Sequence, residues 1–201
     1  MTEVSAYGVQ RPMKPNSTIR SPYFWAIVAG VVLVVVAWVG RENYRPVITG
    51  AEAPVFTATT LDGRPVSLAD YADKVVLVNI WATWCEPCRE EMPSMQRLYE
   101  SVRDEGGENF EILAVSIDAP LGQPDVAGRL GGDLRAFADQ FGLKFPILHD
   151  PSGNIQRIYQ TTGVPESFVI GRDGLIYKKV AGPTEWDLPV NQELVRRLLE
   201  G

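Results

Sequence analysis

The chain has 201 residues, 45% hydrophobic and 22% charged, with a formal net charge of −6; this is globular composition and excludes a largely disordered protein. With no basic run beyond the N-terminal region, it carries no electrostatic footprint for nucleic acid. Two cysteines and one histidine are too few for a disulfide-built scaffold or a Cys/His zinc site.

Residues 1–22 are polar, with Arg11, Lys14 and Arg20 against Glu3 and three prolines, and read as a cytoplasmic tail. Tyr23 to Gly40 then carries no charge. As a helix this run spans about 27 Å, close to the roughly 30 Å of a bilayer core, and aromatic residues stand at both ends, where interfacial rings are favoured. The reading is a transmembrane anchor at 23–40. A buried core helix would show a polar face. A cleaved signal peptide would be shorter and end in a small-x-small site, which Ala37-Trp38-Val39-Gly40 does not offer. The positive charge before the span favours an inside N-terminus, although Arg41 and Arg45 follow it. Residues 41–52 read as a linker.

From residue 53 to residue 201 the pattern is that of one α/β domain. Val55–Thr60 and Pro65–Ser67 flank a Gly-containing turn, predicting an N-terminal hairpin. Lys74–Trp81 is an almost continuous apolar β-former run, as expected of a strand buried on both faces. Met92, Met95, Leu98, Tyr99 and Val102 recur at helical spacing. Glu111–Ile117 is a second buried strand, and residues 118–133, rich in Gly and Pro, read as a loop. Further on come a helix at Leu134–Phe141, a short strand at Phe145–Leu148 with His149 in the following loop, and a turn with a short helix over Ser152–Tyr159. Strands at Ser167–Ile170 and Leu175–Val180 surround a Gly-x-x-Gly turn, and a helix spans 191–200. The order predicts a layered α/β sandwich with a mixed central sheet.

Trp84-Cys85-Glu86-Pro87-Cys88 lies where a buried strand hands over to a helix. A free thiol with pKa near 8.5 is only about 3% thiolate at pH 7, and the N–H groups and dipole of a helix N-terminus stabilise the anion. Cys85 is therefore the expected attacking thiolate and Cys88, one turn inside, the resolving thiol. Pro87 suits the first turn. A structural disulfide closing so short a loop would add little stability in the loop-entropy model. Glu86, between the cysteines, is expected to raise the thiolate pKa and make the site less oxidising.

The run Trp81-Ala82-Thr83-Trp84-Cys85-Glu86-Pro87-Cys88-Arg89-Glu90-Glu91-Met92-Pro93 resembles the active site of the thioredoxin superfamily. It is most similar to the membrane-anchored branch that contains the ResA, TlpA and CcmG (DsbE) proteins. Ala53-Pro54-Val55-Phe56, Leu61-Asp62-Gly63, Phe145-Pro146 and Gly163-Val164-Pro165-Glu166-Ser167-Phe168-Val169-Ile170 fit that branch, so the resemblance covers about residues 53–200. It implies a thioredoxin-like three-layer sandwich with an added N-terminal hairpin. It also implies that Pro165 is a cis-proline facing the disulfide, so that the Val164 backbone would pair with an extended substrate segment. Asn79 stands where thioredoxin has a buried aspartate. Glu91 matches a glutamate kept near the cysteines in the ResA and CcmG proteins and is the expected proton-tuning group for Cys88, the alternative being a solvated carboxylate beside Glu90. Trp84, Glu86, Val164, Pro165 and Glu166 are the expected substrate contacts; for Trp84 simple packing, and for Glu166 a plain surface position, stay open.

The resemblance implies an extracytoplasmic reductant on the bacterial cytoplasmic membrane, with no cofactor or metal beyond the Cys85–Cys88 disulfide. Its client would be apocytochrome c, through a Cys-x-x-Cys segment, and its electron donor a membrane thiol carrier of the DsbD or CcdA kind. Three alternatives remain: a copper-site thiol reductase in oxidase assembly, a disulfide-forming oxidase, and a non-catalytic assembly or copper-binding module.

Overall fold

The computed structural model describes residues 22–41 and 46–201, which fall in two separate units. The expected tail, apart from Pro22, and positions 42–45 of the expected linker lie outside the described residues. In the first unit a 20-residue helix, α1, covers Pro22–Arg41. Among the described residues no helix is long and apolar enough to cross a membrane, so the transmembrane helix read at 23–40 is not confirmed as a span.

The second unit is built on a seven-stranded mixed sheet. In chain order it comprises β1 (Thr57–Thr60), β2 (Pro65–Ser67), a 3-10 turn (Leu68–Tyr71), β3 (Val75–Trp81), α2 (Glu86–Asp104), β4 (Phe110–Ser116) and α3 (Leu134–Phe141). There follow β5 (Ile147–His149), α4 (Asn154–Ile158), β6 (Glu166–Ile170), β7 (Ile176–Ala181) and α5 (Pro189–Glu200). The strands lie in the order β2-β1-β5-β4-β3-β6-β7. The pairs β3–β4 and β4–β5 are parallel, whereas β3–β6, β6–β7, β5–β1 and β1–β2 are antiparallel.

Every residue of β3 and β4 is buried, because alternate side chains feed cores on opposite faces of the sheet. Val75, Leu77 and Trp81 pack with Met92, Met95 and Leu98 of α2, Phe137 of α3 and Val195 of α5. Val76, Val78 and Ile80 pack with Phe56, Leu68, Ile155 and Tyr159 on the other side. The period of two places Asn79 on the α2 face, opposite Ser167 of β6.

Two details depart from the sequence pattern. Residues 46–52 are not a free linker. Val47 is buried, Gly50 N–H donates to the Ile176 carbonyl at 2.7 Å and Ile176 N–H to that of Ala51 at 2.9 Å. Lys179 Nζ also donates to the Val47 carbonyl, so this stretch is laid along β7 and the domain starts at Pro46. His149 is the last residue of β5 rather than a loop residue, because its strand pairs with Thr59 of β1 and Ser116 of β4.

Candidate active site

Because β3 runs parallel to β4 and antiparallel to β6, three segments meet at one end of the sheet. They are the turn after β3 that carries Cys85, the 118–133 segment after β4, and Val164-Pro165 before β6. Strand ends of this kind are where open α/β sheets place their sites.

Cys85 is the N-cap of α2, in extended conformation, and its Sγ accepts the Cys88 N–H at 3.2 Å. The sulfur thus takes one of the otherwise unpaired donors of the first helical turn. Cys85 and Cys88 form a disulfide. Cys88 is fully buried and Cys85 nearly so, at 6% exposure; the outer sulfur is the one a partner can reach. The Val164–Pro165 peptide bond is cis, and the Val164 carbonyl oxygen lies 3.5 Å from Cys85 Sγ. Pro165 is buried and Val164 half-buried, and the Pro165 carbonyl accepts the Gly182 N–H.

Glu91, three residues beyond Cys88, lies on the same face of α2 and is only 2% exposed, which excludes the solvated alternative. One carboxylate oxygen accepts the Asn79 amide at 2.7 Å and the other the Thr184 N–H at 3.2 Å. Burial pushes its pKa up to about 7. The bonds from Asn79 and Thr184 restrain the rise, as does the Trp186 indole N–H from outside hydrogen-bonding geometry. Asn79 also donates to Ser167 Oγ at 2.9 Å. Glu91 lines a surface cleft with Glu90, Pro183, Thr184 and Glu185. A carboxyl that titrates near neutrality, one turn from the buried sulfur, can take up or release a proton there.

The remaining expected contacts divide. Trp84 is half-buried against the core, with a guanidinium from the 118–133 segment 3.5 Å above its ring centroid. Glu86 is exposed at the first position of α2, 3.6 Å from Arg89. Glu166 is neither a plain surface acid nor open to a substrate. It is 2% exposed and paired with Lys179 Nζ at 3.1 Å, since β6 alternation turns it, like Phe168, to the face away from α2. Among the described residues no group of three or more His, Cys, Asp and Glu side chains could hold a metal ion.

Sequence reasoning missed three parts of the site. Trp186 is a buried plug whose backbone N–H donates to Ser94 Oγ. Thr184 reaches Glu91 from a segment remote in sequence. Asp118, fully buried, accepts from Thr83 N–H, Thr83 Oγ1, Ser116 Oγ and Gly132 N–H. Nothing in the local pattern marks the first two; the third was signalled by a lone acid at the end of a buried strand.

The fold and this site together define a thioredoxin-like thiol–disulfide oxidoreductase. The chain belongs to the AhpC/TSA family, whose model matches residues 49–179. It is 37% identical over 172 residues to the thiol-disulfide oxidoreductase ResA of Bacillus cereus, covering 85% of this chain and 91% of that protein. A Chlorobium tepidum structure assigned as the thiol:disulfide interchange protein DsbE is 28% identical with a TM-score of 0.59, covering 77% of this chain and 96% of that one. StoA from Bacillus subtilis, at 22% identity, shares the fold with a TM-score of 0.53 over 76% of this chain and 98% of its own.

Proposed function

We propose that this oxidoreductase is a membrane-tethered, extracytoplasmic reductant of client disulfides, with the Cys-x-x-Cys segment of apocytochrome c as its client and a membrane thiol carrier as its electron source. The observation that carries the reading is the pairing of a helix-capping outer sulfur with a buried carboxyl, its pKa raised by burial to about 7, one helical turn from the inner cysteine. In the reduced enzyme the Cys85 thiolate attacks one client sulfur, and the other client sulfur leaves as a thiolate that takes a proton from water. Cys88 gives its proton to Glu91 and attacks Cys85 Sγ, expelling the second client thiolate and closing the Cys85–Cys88 disulfide. The client gains two electrons, and exchange with the donor dithiol restores the enzyme. An extended client strand would pair with the Val164 backbone, whose carbonyl oxygen lies 3.5 Å from Cys85 Sγ.

Tethering through residues 23–40 is supported by the uncharged composition of that segment, its helical backbone and the exposure of its described apolar side chains, such as Leu33 at 69%. An N-terminal anchor puts the redox domain where thiols are oxidised, which is where a dedicated reductant has work.

The test is the reduction potential of the full chain in detergent, equilibrated with glutathione or dithiothreitol. A value below about −220 mV is expected, and one near −120 mV would make the protein an oxidant instead. With Cys88→Ser, the reduced protein should trap a mixed disulfide through Cys85 on a Cys-x-x-Cys-His peptide; failure to trap one would remove that client class.

A further inference from the structure

Residues 118–133, read from sequence as a loop, are built into the redox site at two depths. At the base, Asp118 ties the segment to Thr83, two residues before Cys85, through the Thr83 N–H at 2.8 Å and its hydroxyl at 2.5 Å. Gly132 closes the same node: its N–H reaches Asp118 Oδ1, and a Cβ there would run into the Thr83 side chain. Higher up, the segment folds back on itself. Asp125 N–H bonds the Arg129 carbonyl and Gly131 N–H that of Gln123. Asp125 Oδ1 caps the turn by accepting the N–H groups of Ala127 and Arg129, each at 2.8 Å. Its Oδ2 then holds Arg129 Nε at 2.7 Å.

The guanidinium so held lies 3.5 Å over the centroid of the Trp84 ring. That is close for a cation–π pair, which counts as one within about 6 Å, and it fits a planar group stacked on a planar ring. Trp84 directly precedes Cys85, and its indole nitrogen is buried with no hydrogen bond among the described residues; nothing polar therefore fixes the ring from the other end. Sheet order sets the rest of the frame. β3 lies between β4 and β6, so Cys85 has this segment on one side and Val164-Pro165 on the other.

We propose that Arg129 is a positioning residue that clamps Trp84 beside Cys85, so that the 120–131 segment forms the wall of the client-binding surface opposite the cis-proline. The inference rests on the exchange reaction proposed above and concerns how a polypeptide disulfide, as opposed to a small one, is admitted to Cys85. A loosened indole would obstruct an extended strand that has to lie between the two walls. A small aromatic disulfide needs only the sulfur.

The experiment uses the full chain in detergent, reduced, with the rate of oxidation followed by stopped-flow fluorescence. One oxidant is a peptide closed by a Cys-x-x-Cys disulfide, and the other is dithiodipyridine. Arg129→Ala is expected to raise the half-saturating peptide concentration about 5- to 10-fold, the size of one cation–π contact, with the limiting rate kept. Its rate with dithiodipyridine and its equilibrium with glutathione should move by less than about twofold. Arg129→Lys should not rescue, because an ammonium does not stack as a guanidinium does. Asp125→Asn, which loosens the guanidinium while keeping the turn's acceptor, should change the peptide constant in the same direction. Equal losses with both oxidants, no loss with the peptide, or full rescue by lysine would overturn the proposal. A wild-type potential near that of an oxidant would instead refute the reductase reading and leave the peptide-to-small-disulfide ratio as an independent measurement.

Discussion

The Asn79 amide donates to Glu91 Oε1 at 2.7 Å inside the domain, joining the central strand to the helix that carries both cysteines. This bond favours the charged carboxylate, while burial opposes it more strongly and leaves the pKa about 7. A carboxyl in this state is held neutral by the fold over much of the range in which an unfolded chain would ionise it. Between the unfolded value of 4.5 and about 7 the native state binds the extra proton, so Glu91 makes the domain less stable as pH rises through that window. The full effect, from the roughly 2.5-unit difference, is on the order of 3 kcal/mol and is complete by about pH 8. Denaturant unfolding of the oxidised protein at pH 5 and pH 8 should show it, and Glu91→Gln should flatten the profile. An unchanged slope in the variant would mean that Glu91 is ionised throughout.

Asn79→Asp would put a second carboxyl within hydrogen-bonding reach of the first. Two carboxylates sharing a buried site cannot both ionise readily, and one titration moves upward by at least about one unit. The pair would then titrate as a unit. The resolving step, measured as release of a peptide from its mixed disulfide with Cys85, is expected to move its pH midpoint alkaline by a similar amount. If the midpoint stays in place, Glu91 does not receive the Cys88 proton.

Much of this was legible in sequence because it rests on local rules. The Val75–Trp81 run could hardly be anything but a central strand, and a lone Asn within it marked the point where a polar group had to find a partner in the core. Cys85-x-x-Cys88 at a strand-to-helix junction carried its chemistry with it. The features that were not legible depend on tertiary register. Glu166 looks like a surface acid until the pairing of β6 with β3 turns it inward toward Lys179. Residues 46–52 look like a linker because their partners lie on β7, far along the chain. Arg129 gives no signal at all, since its meeting with Trp84 depends on a turn organised by Asp125.

Asp118 offers a test of how far the segment after β4 and the redox turn act as one structure. Its buried carboxylate receives four hydrogen bonds, from Thr83 twice, Ser116 and Gly132, and His149 Nε2 lies 2.8 Å from its carbonyl oxygen. Asp118→Ala leaves the buried donors without an acceptor, at a cost of about 1–3 kcal/mol or more. The amides of Thr83 and Gly132 are expected to lose protection in hydrogen exchange together. Loss at Gly132 alone would show the turn before Cys85 to be held independently.

The Glu166–Lys179 pair separates a structural acid from a client-selecting one. Glu166 is 3% exposed in its side chain and Lys179 28%. The lysine also donates to the Val47 carbonyl and stands 5.3 Å from the Phe168 ring centroid, so it fastens the start of the domain to β6. Lys179→Met strands a buried carboxylate, and breaking such a pair costs about 3–5 kcal/mol, less here because one partner is partly in water. Lys179→Met with Glu166→Gln removes both charges and should recover much of that loss. Exchange with a Cys-x-x-Cys peptide should be the same in the double variant and the wild type below their melting temperatures. A double variant that regains stability but discriminates less among peptides would return Glu166 to client recognition, despite its burial.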